Sequence, residues 1–159
     1  RSHRLLMRQM DHGVVALAYC VIAPAAHDAL RRLSQTQPHL TRLLWLETVV
    51  DGAIHRQWLV AMGQQNAASR LAHLLCELYC RSEAAGLAAD HRFALPMTQT
   101  DLADVLGLTP VHVNRVLMDL RRQGLVEWKA GKVVIGDWSA LVKLGAFDPA
   151  YLRLQTDPV

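Results

Sequence analysis

The spacing of apolar residues predicts a long helix over residues 38–62. Its apolar side chains recur at intervals of three and four, which is the heptad pattern of a helix that packs along a seam. The predicted seam consists of Leu43, Leu46, Val50, Ala53, Gln57 and Val60. A second apolar face consists of Leu40, Leu44, Ile54 and Trp58. Because two apolar faces need two partners, we expect the seam to pair with a second copy of the chain; a single buried core helix is the alternative.

The residues before this helix predict a strand and a short helix. Residues 14–22 are rich in β-branched and aromatic side chains, which favour a strand, and residues 10–13 ahead of them predict a turn. Residues 26–33, after Pro24, predict a short helix. This segment is too small to bury a core of its own, so we interpret it as the end of a larger β-rich domain.

A third helix is predicted after the long one. Asn66 is a good N-cap, and the helix is expected to extend to Glu83. Its apolar stripe consists of Leu71, Leu74, Leu75, Leu78 and Tyr79. Residues 84–92 are small or polar and predict a connector to the last part of the chain.

Residues 98–124 have the pattern of a helix-turn-helix. Thr98 can cap a short helix, Asp101 completes a capping box with Asp in place of Glu, and Gly107 can take the left-handed conformation of a sharp turn. Thr109 is expected to cap a second helix with Pro110 in its first position. The inner faces are predicted to be Leu102, Ala103, Val105 and Leu106, followed by Val113, Val116, Leu117 and Leu120. An ordinary helical hairpin is the alternative, but the caps, the glycine and the apolar spacing together favour DNA binding.

The following residues predict a wing. Residues 125–128 and 132–135 predict two short strands around a basic turn, and Asp137 is expected to cap a small helix over residues 138–144. A hairpin after a helix-turn-helix is typical of a winged helix. The predicted fold class is therefore mainly α with a small β component, ending in a winged helix-turn-helix.

The outward face of the second predicted helix, residues 109–123, supplies the candidates for base contact. Arg115 is the strongest, because a guanidinium can bind O6 and N7 of guanine together. Asn114 suits adenine or a phosphate, and Val111 suits a thymine methyl group. His112 suits a phosphate or a base edge, with a solvated surface histidine as the alternative.

Phosphate contacts are predicted at the starts of both helices and on the wing. Hydroxyl and amide side chains beside free backbone N–H groups suit phosphate oxygens. The candidates are Thr98, Gln99 and Thr109 at the helix starts, Arg122 on the second helix, and Lys129 and Lys132 on the wing.

The charge of this region is low for a DNA-binding domain. The whole chain has a net charge of +3, but residues 96–135 hold five Lys/Arg and four Asp/Glu, a net charge of +1. One such module should bind DNA weakly, since affinity depends on neutralised phosphates. We therefore expect two half-sites on one duplex, bound by a homodimer.

Composition limits the classes of protein. The chain is 52% hydrophobic and 19% charged, which suits a packed globular protein, and no apolar run is long enough to cross a bilayer. Its three cysteines form no CxxC pair, which is typical of a reducing cytoplasm. We expect a cytoplasmic protein without a membrane partner. Because the sequence starts at Arg1, we also expect the natural chain to be longer at its amino end.

These stretches together resemble the Crp/Fnr family of bacterial transcription regulators, which includes the cyclic-AMP receptor protein. The resemblance covers most of the chain and is strongest in L-P-M-T-Q-T-D-L-A-D-V-L-G-L-T-P-V-H-V-N-R-V-L. It implies the end of a cyclic-nucleotide-binding-like β-roll effector domain at residues 1–37, a dimerisation helix at 38–64 and a winged helix-turn-helix at 65–159. It also implies a palindromic operator in duplex DNA, and RNA polymerase is a further candidate partner.

The resemblance assigns Arg115 to the family's base-contacting arginine and places phosphate contacts near Thr98, Gln99 and Thr109. Many members have a glutamate where this chain has Val111, so the resemblance does not extend to their half-site preference. No glycine-glutamate cassette for a cyclic nucleotide and no amino-terminal cysteine cluster for iron–sulfur is seen. The sequence therefore identifies no cofactor and no effector.

Two other classes of function are the alternatives. His73, Cys76 and Cys80 share one helical face and could hold a metal ion or a reactive thiol, but such cysteines are more often small buried apolar residues. No nucleophile motif, phosphate loop or HExxH is present, so the chain is not expected to be an enzyme. A winged helix that binds protein and not DNA is the remaining alternative.

Overall fold

The computed structural model describes residues 13–154. The chain divides into two compact units between Arg56 and Gln57. None of the helices in the described part of the chain is both long and apolar enough to cross a membrane.

The first unit contains a helix α1, His27–Thr36, and most of a helix α2, Pro38–Gln64. Both confirm predicted helices, and Pro38 begins α2, where its missing N–H costs little. The strand predicted at residues 14–22 is wrong, because these residues form neither helix nor strand. A strand is stabilised by neighbouring strands, and no described residue pairs with this segment. Most of the turn predicted at residues 10–13 lies outside the described residues.

The second unit is built around a helix α3, Ala67–Ala84. Asn66 caps it as predicted, because its side-chain oxygen accepts a hydrogen bond from the backbone N–H of Ser69 at 3.0 Å. The predicted stripe is buried except for Leu78, which is half-buried. α3 is the central helix against which the rest of this unit packs.

A four-stranded antiparallel sheet lies beside α3, in the order β1-β2-β4-β3. Its strands are β1 Ala88–Ala89, β2 Arg92–Ala94, β3 Val126–Lys129 and β4 Lys132–Ile135. The predicted wing is confirmed as β3 and β4. β1 and β2 were not predicted, since strands of two and three residues are too short for a clear alternation of apolar and polar positions. The turn between them is made by Asp90 and His91, both with positive φ.

The remaining elements complete the second unit. They are the helices α4 Gln99–Leu106, α5 Pro110–Arg122 and α6 Trp138–Gly145, and a 3₁₀ helix, Pro149–Leu152. The side chain of Asp137 caps α6 as predicted, accepting from the N–H of Ala140 at 2.9 Å. The core is formed by apolar side chains from every layer, including Leu71, Leu75, Leu102, Leu106, Val113, Leu120, Val133 and Leu141.

A buried carboxylate joins three elements of the second unit. Glu77 on α3 is only 2% exposed. Its Oε2 accepts hydrogen bonds from the hydroxyl of Tyr151 at 2.7 Å and from the indole N–H of Trp58 at 3.2 Å. Its Oε1 accepts from Arg81 at 3.2 Å. Because every donor comes from a different position in the fold, the carboxylate fixes the end of α2 and the 3₁₀ helix against α3.

The neighbouring His73 holds α6 in place. Its Nδ1–H donates to the carbonyl of Gly145 at 3.1 Å, and its Nε2 is hydrogen-bonded with the hydroxyl of Tyr151 at 3.0 Å. Gln65 also donates to the carbonyl of Gly145, at 3.2 Å. The backbones of α3 and α6 are so close here that a Cβ on Gly145 would lie 2.7 Å from the N atom of His73. Residue 145 must therefore be glycine for α6 to pack in this position.

This contact predicts the effect of a single methyl group. Gly145→Ala would push α6 away from α3, and we expect the free energy of unfolding to fall by about 1–3 kcal/mol. Gly63→Ala is the matched control, since a Cβ on Gly63 meets nothing within 4 Å and alanine favours the helix that holds it. Chemical denaturation monitored by circular dichroism measures both. Equal stability of the two variants would show that the close contact is not required.

Candidate nucleic-acid interface

The first helix of the motif is held at its start by a capping box. The Thr98 hydroxyl accepts from the N–H of Asp101 at 3.1 Å, and the Asp101 carboxylate accepts from the N–H of Thr98 at 2.7 Å. These backbone and hydroxyl hydrogen bonds hold the pKa of Asp101 below its usual range. The predicted capping box is confirmed, with Asp in the position where Glu is common.

The turn between the two helices has the predicted geometry. Gly107 is left-handed, with φ 62° and ψ 42°, and ends α4. The N–H of Leu108 then donates to the carbonyl of Ala103 at 2.9 Å, which is the closing bond of a helix C-terminus. Arg70 on α3 also donates to the last carbonyl of α4, that of Leu106, at 2.8 Å. Sequence spacing gave no sign of this arginine, which attaches the turn to the central helix.

The second helix is capped and packed as predicted. The Thr109 hydroxyl accepts from the N–H of His112 at 3.2 Å, and Pro110 is the first residue of α5. Val113, Val116 and Leu120 are buried, and Leu117 is half-buried. On α4, Leu102, Ala103 and Leu106 are buried, but Val105 is exposed, so its prediction as an inner residue is wrong. Successive residues of an α-helix are about 100° apart around its axis, and this rotation points Val105 away from the face that the buried residues of α4 share.

The outer face of α5 presents the predicted base-contacting side chains together. Val111, Asn114 and Arg115 are exposed, with Val111 81% exposed, whereas His112 is half-buried. Arg115 has no hydrogen bond or ion pair with any described residue. Its guanidinium is therefore available to a ligand outside the chain.

Two further arginines at the end of α5 already have partners within the chain. Arg122 forms an exposed ion pair with Asp119 on the same helix, and Arg121 donates to the carbonyl of Trp128 in β3 at 3.0 Å. Arg121 thus fixes the wing to α5. Arg122, a predicted DNA contact, carries a charge that Asp119 partly neutralises.

The wing brings two positive charges together at its tip. Lys129 and Lys132 are directly paired across β3 and β4, and both are exposed. The turn between them uses Ala130 and Gly131, both with positive φ. Like charges placed opposite each other destabilise a strand pair, and an anion beside them would relieve the repulsion.

The predicted phosphate contacts at the helix starts are all exposed. Thr98 and Thr109 are the N-caps of α4 and α5, and Gln99 is the first residue of α4. Gln99 has a partner that sequence reasoning missed: its Oε1 accepts a hydrogen bond from Nδ2 of Asn114 at 3.0 Å. The start of α4 and the outer face of α5 are therefore joined by side chains.

His73, Cys76 and Cys80 are part of the packed core and its edge. Burial raises the pKa of the Cys76 thiol to about 12, and burial together with the nearby Glu83 raises that of Cys80 to about 11. Both thiols are protonated at neutral pH and are poor nucleophiles. Within residues 13–154, no group of three or more His, Cys, Asp or Glu side chains is placed to hold a metal ion.

The predicted dimer seam on α2 is half-buried at most of its positions. Leu43, Leu46, Val50, Ala53 and Gln57 are half-buried, and Val60 is 50% exposed. Trp58, from the second apolar face, packs edge-on against His73 with ring centroids 5.6 Å apart. One of the two faces therefore has a partner within the chain at this end of the helix. The pairing of the seam with a second copy stays a prediction.

Comparison with known proteins gives consistent matches to one family. The sequence model of the Crp-like helix-turn-helix domain matches residues 69–144. The nitrogen fixation regulation protein FixK of Azorhizobium caulinodans is 28% identical over 130 residues, which are 81% of this chain and 52% of that protein. The transcriptional activator FnrL of Cereibacter sphaeroides is 29% identical over 115 residues, 70% of this chain and 46% of that protein. The chain spans about half the length of the curated relatives it matches.

A solved structure matches the fold. FixK2 from Bradyrhizobium japonicum superposes with a TM-score of 0.66 and 28% sequence identity, covering 74% of this chain and 58% of that one. CprK in complex with OCPA, at 20% identity and a TM-score of 0.57, shares the fold.

The capping box predicts a pH-dependent contribution to stability. Since the folded-state pKa of Asp101 is lowered, its ionised form stabilises the fold above about pH 4. That contribution is lost as the pH falls through the folded-state pKa.

We expect Asp101→Asn to lower the melting temperature at pH 7 and to match the unmodified chain in strong acid. Asp104→Asn, on the same helix but outside the cap, is the control. A deficit of Asp101→Asn that stays constant from pH 7 to pH 2 would contradict the assigned cap.

Proposed function

We propose that the chain is the DNA-binding part of a transcription regulator of the Crp/Fnr family, because residues 69–144 match the Crp-like helix-turn-helix domain. The recognition element is α5, with its amino end in the major groove of duplex DNA. The observation that carries the proposal is Arg115, exposed and unpaired among the described residues, on a helix whose start and inner face are both fixed. An arginine that is free of partners and held on a fixed helix is suited to bidentate contact with guanine.

The phosphate contacts proposed around α5 are the helix starts and the wing. Thr98 and Thr109 stand beside free N–H groups at the starts of α4 and α5, which suits phosphate oxygens. Lys129 and Lys132 form a paired positive tip on the wing. Within residues 96–135, Arg121 and Arg122 have partners inside the chain. These two lysines and Arg115 are therefore the positive charges of that region left for DNA, which supports a weak single module and two half-sites.

We further propose that the chain acts as a homodimer on a palindromic operator, with α2 as the dimerisation helix. The seam Leu43, Leu46, Val50, Ala53, Gln57 and Val60 has the heptad spacing of a helix pair. In the division that the family resemblance implies, residues 1–37 end the effector domain, residues 38–64 form the dimerisation helix and residues 65–159 bind DNA. RNA polymerase is a proposed further partner.

A protein-binding winged helix is the competing function, and the exposed apolar Val111 and Met118 on α5 favour it. The two functions differ in their response to salt. DNA binding weakens steeply as salt rises, because counterions are released from phosphates. Absence of binding to random duplexes at every salt concentration would favour the protein-binding function.

Arg115→Ala tests the DNA-reading role. We expect it to weaken binding to a selected operator by about 1–3 kcal/mol and to change binding to random duplexes far less. Lys143→Ala removes one exposed positive charge from α6, away from the motif, and is the charge-matched control. Fluorescence anisotropy with labelled duplexes measures both. Equal losses of affinity in the two variants would show that Arg115 contributes only its positive charge.

A pair of variants on one helix tests the dimer. Val60 and Met62 are 50% and 52% exposed and, two residues apart, point to roughly opposite sides of α2. We expect Val60→Glu to yield monomers at concentrations where the unmodified chain is a dimer, because it places a charge in the seam. Met62→Glu should remain a dimer. Sedimentation equilibrium measures the masses, and a dimeric Val60→Glu would remove this face from the interface.

A further inference from the structure

The hydrogen bond between Asn114 and Gln99 joins two parts of the motif that are 15 residues apart in sequence. Asn114 lies on the outer face of α5, next to Arg115, and Gln99 is the first residue of α4. Within residues 13–154, no other hydrogen bond between side chains joins α4 to α5. Both residues are exposed, so the bond is formed on the surface that the proposed function turns toward DNA.

The amide of Asn114 keeps unused hydrogen-bonding groups in this arrangement. An asparagine side chain has two N–H donors and one carbonyl acceptor, and the bond to Gln99 uses one N–H. The other N–H and the carbonyl remain available. That pair of groups is what asparagine uses to bind N7 and the N6 amino group of adenine in the major groove.

The bond to Gln99 matters because it sets the orientation of the Asn114 amide. The terminal torsion of an asparagine side chain has broad preferences, so a free amide samples many orientations. Gln99 restricts it by accepting one of its N–H groups. Less conformational freedom is then lost when a base is bound, and the acceptor and donor edge is presented in one fixed plane.

Resting on the DNA-binding function proposed above, we propose that Gln99 is a specificity-determining residue that acts through Asn114. Gln99 holds the Asn114 amide in the plane that binds an adenine of the half-site. A neutral phosphate contact, the role that sequence reasoning gave to Gln99, would lack this effect on base preference.

The two roles of Gln99 differ in which duplexes are affected. Loss of a phosphate contact weakens binding to all sequences by a similar factor, because the backbone carries no sequence information. Loss of a residue that orients Asn114 weakens binding only to duplexes with the adenine that Asn114 contacts. Discrimination between bases, and not affinity alone, is therefore the quantity to measure.

The experiment is a double-mutant cycle on the full chain. Gln99→Ala, Asn114→Ala and the double variant are compared with the unmodified chain on a duplex obtained by selection, and on duplexes in which each adenine of the half-site is replaced. Thr100→Ala, an exposed neighbour of Gln99 without a bond to α5, is the control. Circular dichroism establishes that every variant is folded.

We expect the unmodified chain to prefer one adenine by about 5-fold to 150-fold in Kd, the range of a bidentate base contact. Asn114→Ala should abolish that preference, and Gln99→Ala should lose most of it. The double variant should be no worse than Asn114→Ala, because the two residues act as a unit. Thr100→Ala should keep the preference.

Two results would overturn the inference. Gln99→Ala that keeps the adenine preference while binding all duplexes more weakly would make Gln99 a phosphate contact. Effects of the two single variants that simply add would show that they act independently. Failure of the unmodified chain to select any sequence is a separate outcome, which would overturn the proposed function together with this inference.

Discussion

The second unit depends on the burial of one carboxylate, that of Glu77. A buried charge is unfavourable unless its oxygens accept hydrogen bonds, and here Trp58, Arg81 and Tyr151 donate to them. The three donors belong to the end of α2, to α3 and to the 3₁₀ helix. Burial and the hydrogen bond to Glu77 raise the pKa of Tyr151, so its hydroxyl keeps the proton it donates. Because α3 is fixed on several sides, it supports the close approach of α6 at Gly145 and the attachment of α4 by Arg70.

The helix-turn-helix was predictable because its signals are local. Thr98, Asp101, Gly107 and Thr109 each satisfy backbone groups or a backbone conformation within a few residues of their own position. The apolar spacing of α5 adds the face that it buries. Such features are independent of the rest of the fold, and the structure places all four residues in the predicted roles.

The features that were missed depend on contacts between distant segments. The strand predicted at residues 14–22 has the right composition but no neighbouring strand among the described residues. β1 and β2 exist because β2 pairs with β4, about 40 residues later. The bonds from Arg70 to Leu106 and from Asn114 to Gln99 likewise require the fold to be formed first. For the site, sequence therefore identified the exposed side chains but not which of them are engaged: Arg121 and Arg122 have partners, and Arg115 has none among the described residues.

Reading of base sequence by the outer face of α5 is the function on which the other proposals depend. Selection of bound duplexes from a randomised pool by the full chain, followed by sequencing, tests it most directly. We predict an enriched inverted repeat with half-site centres separated by whole turns of the duplex, about 10 base pairs or a multiple of it, with a constant guanine in each half for Arg115. A pool that shows no enriched sequence after selection at low salt would contradict it.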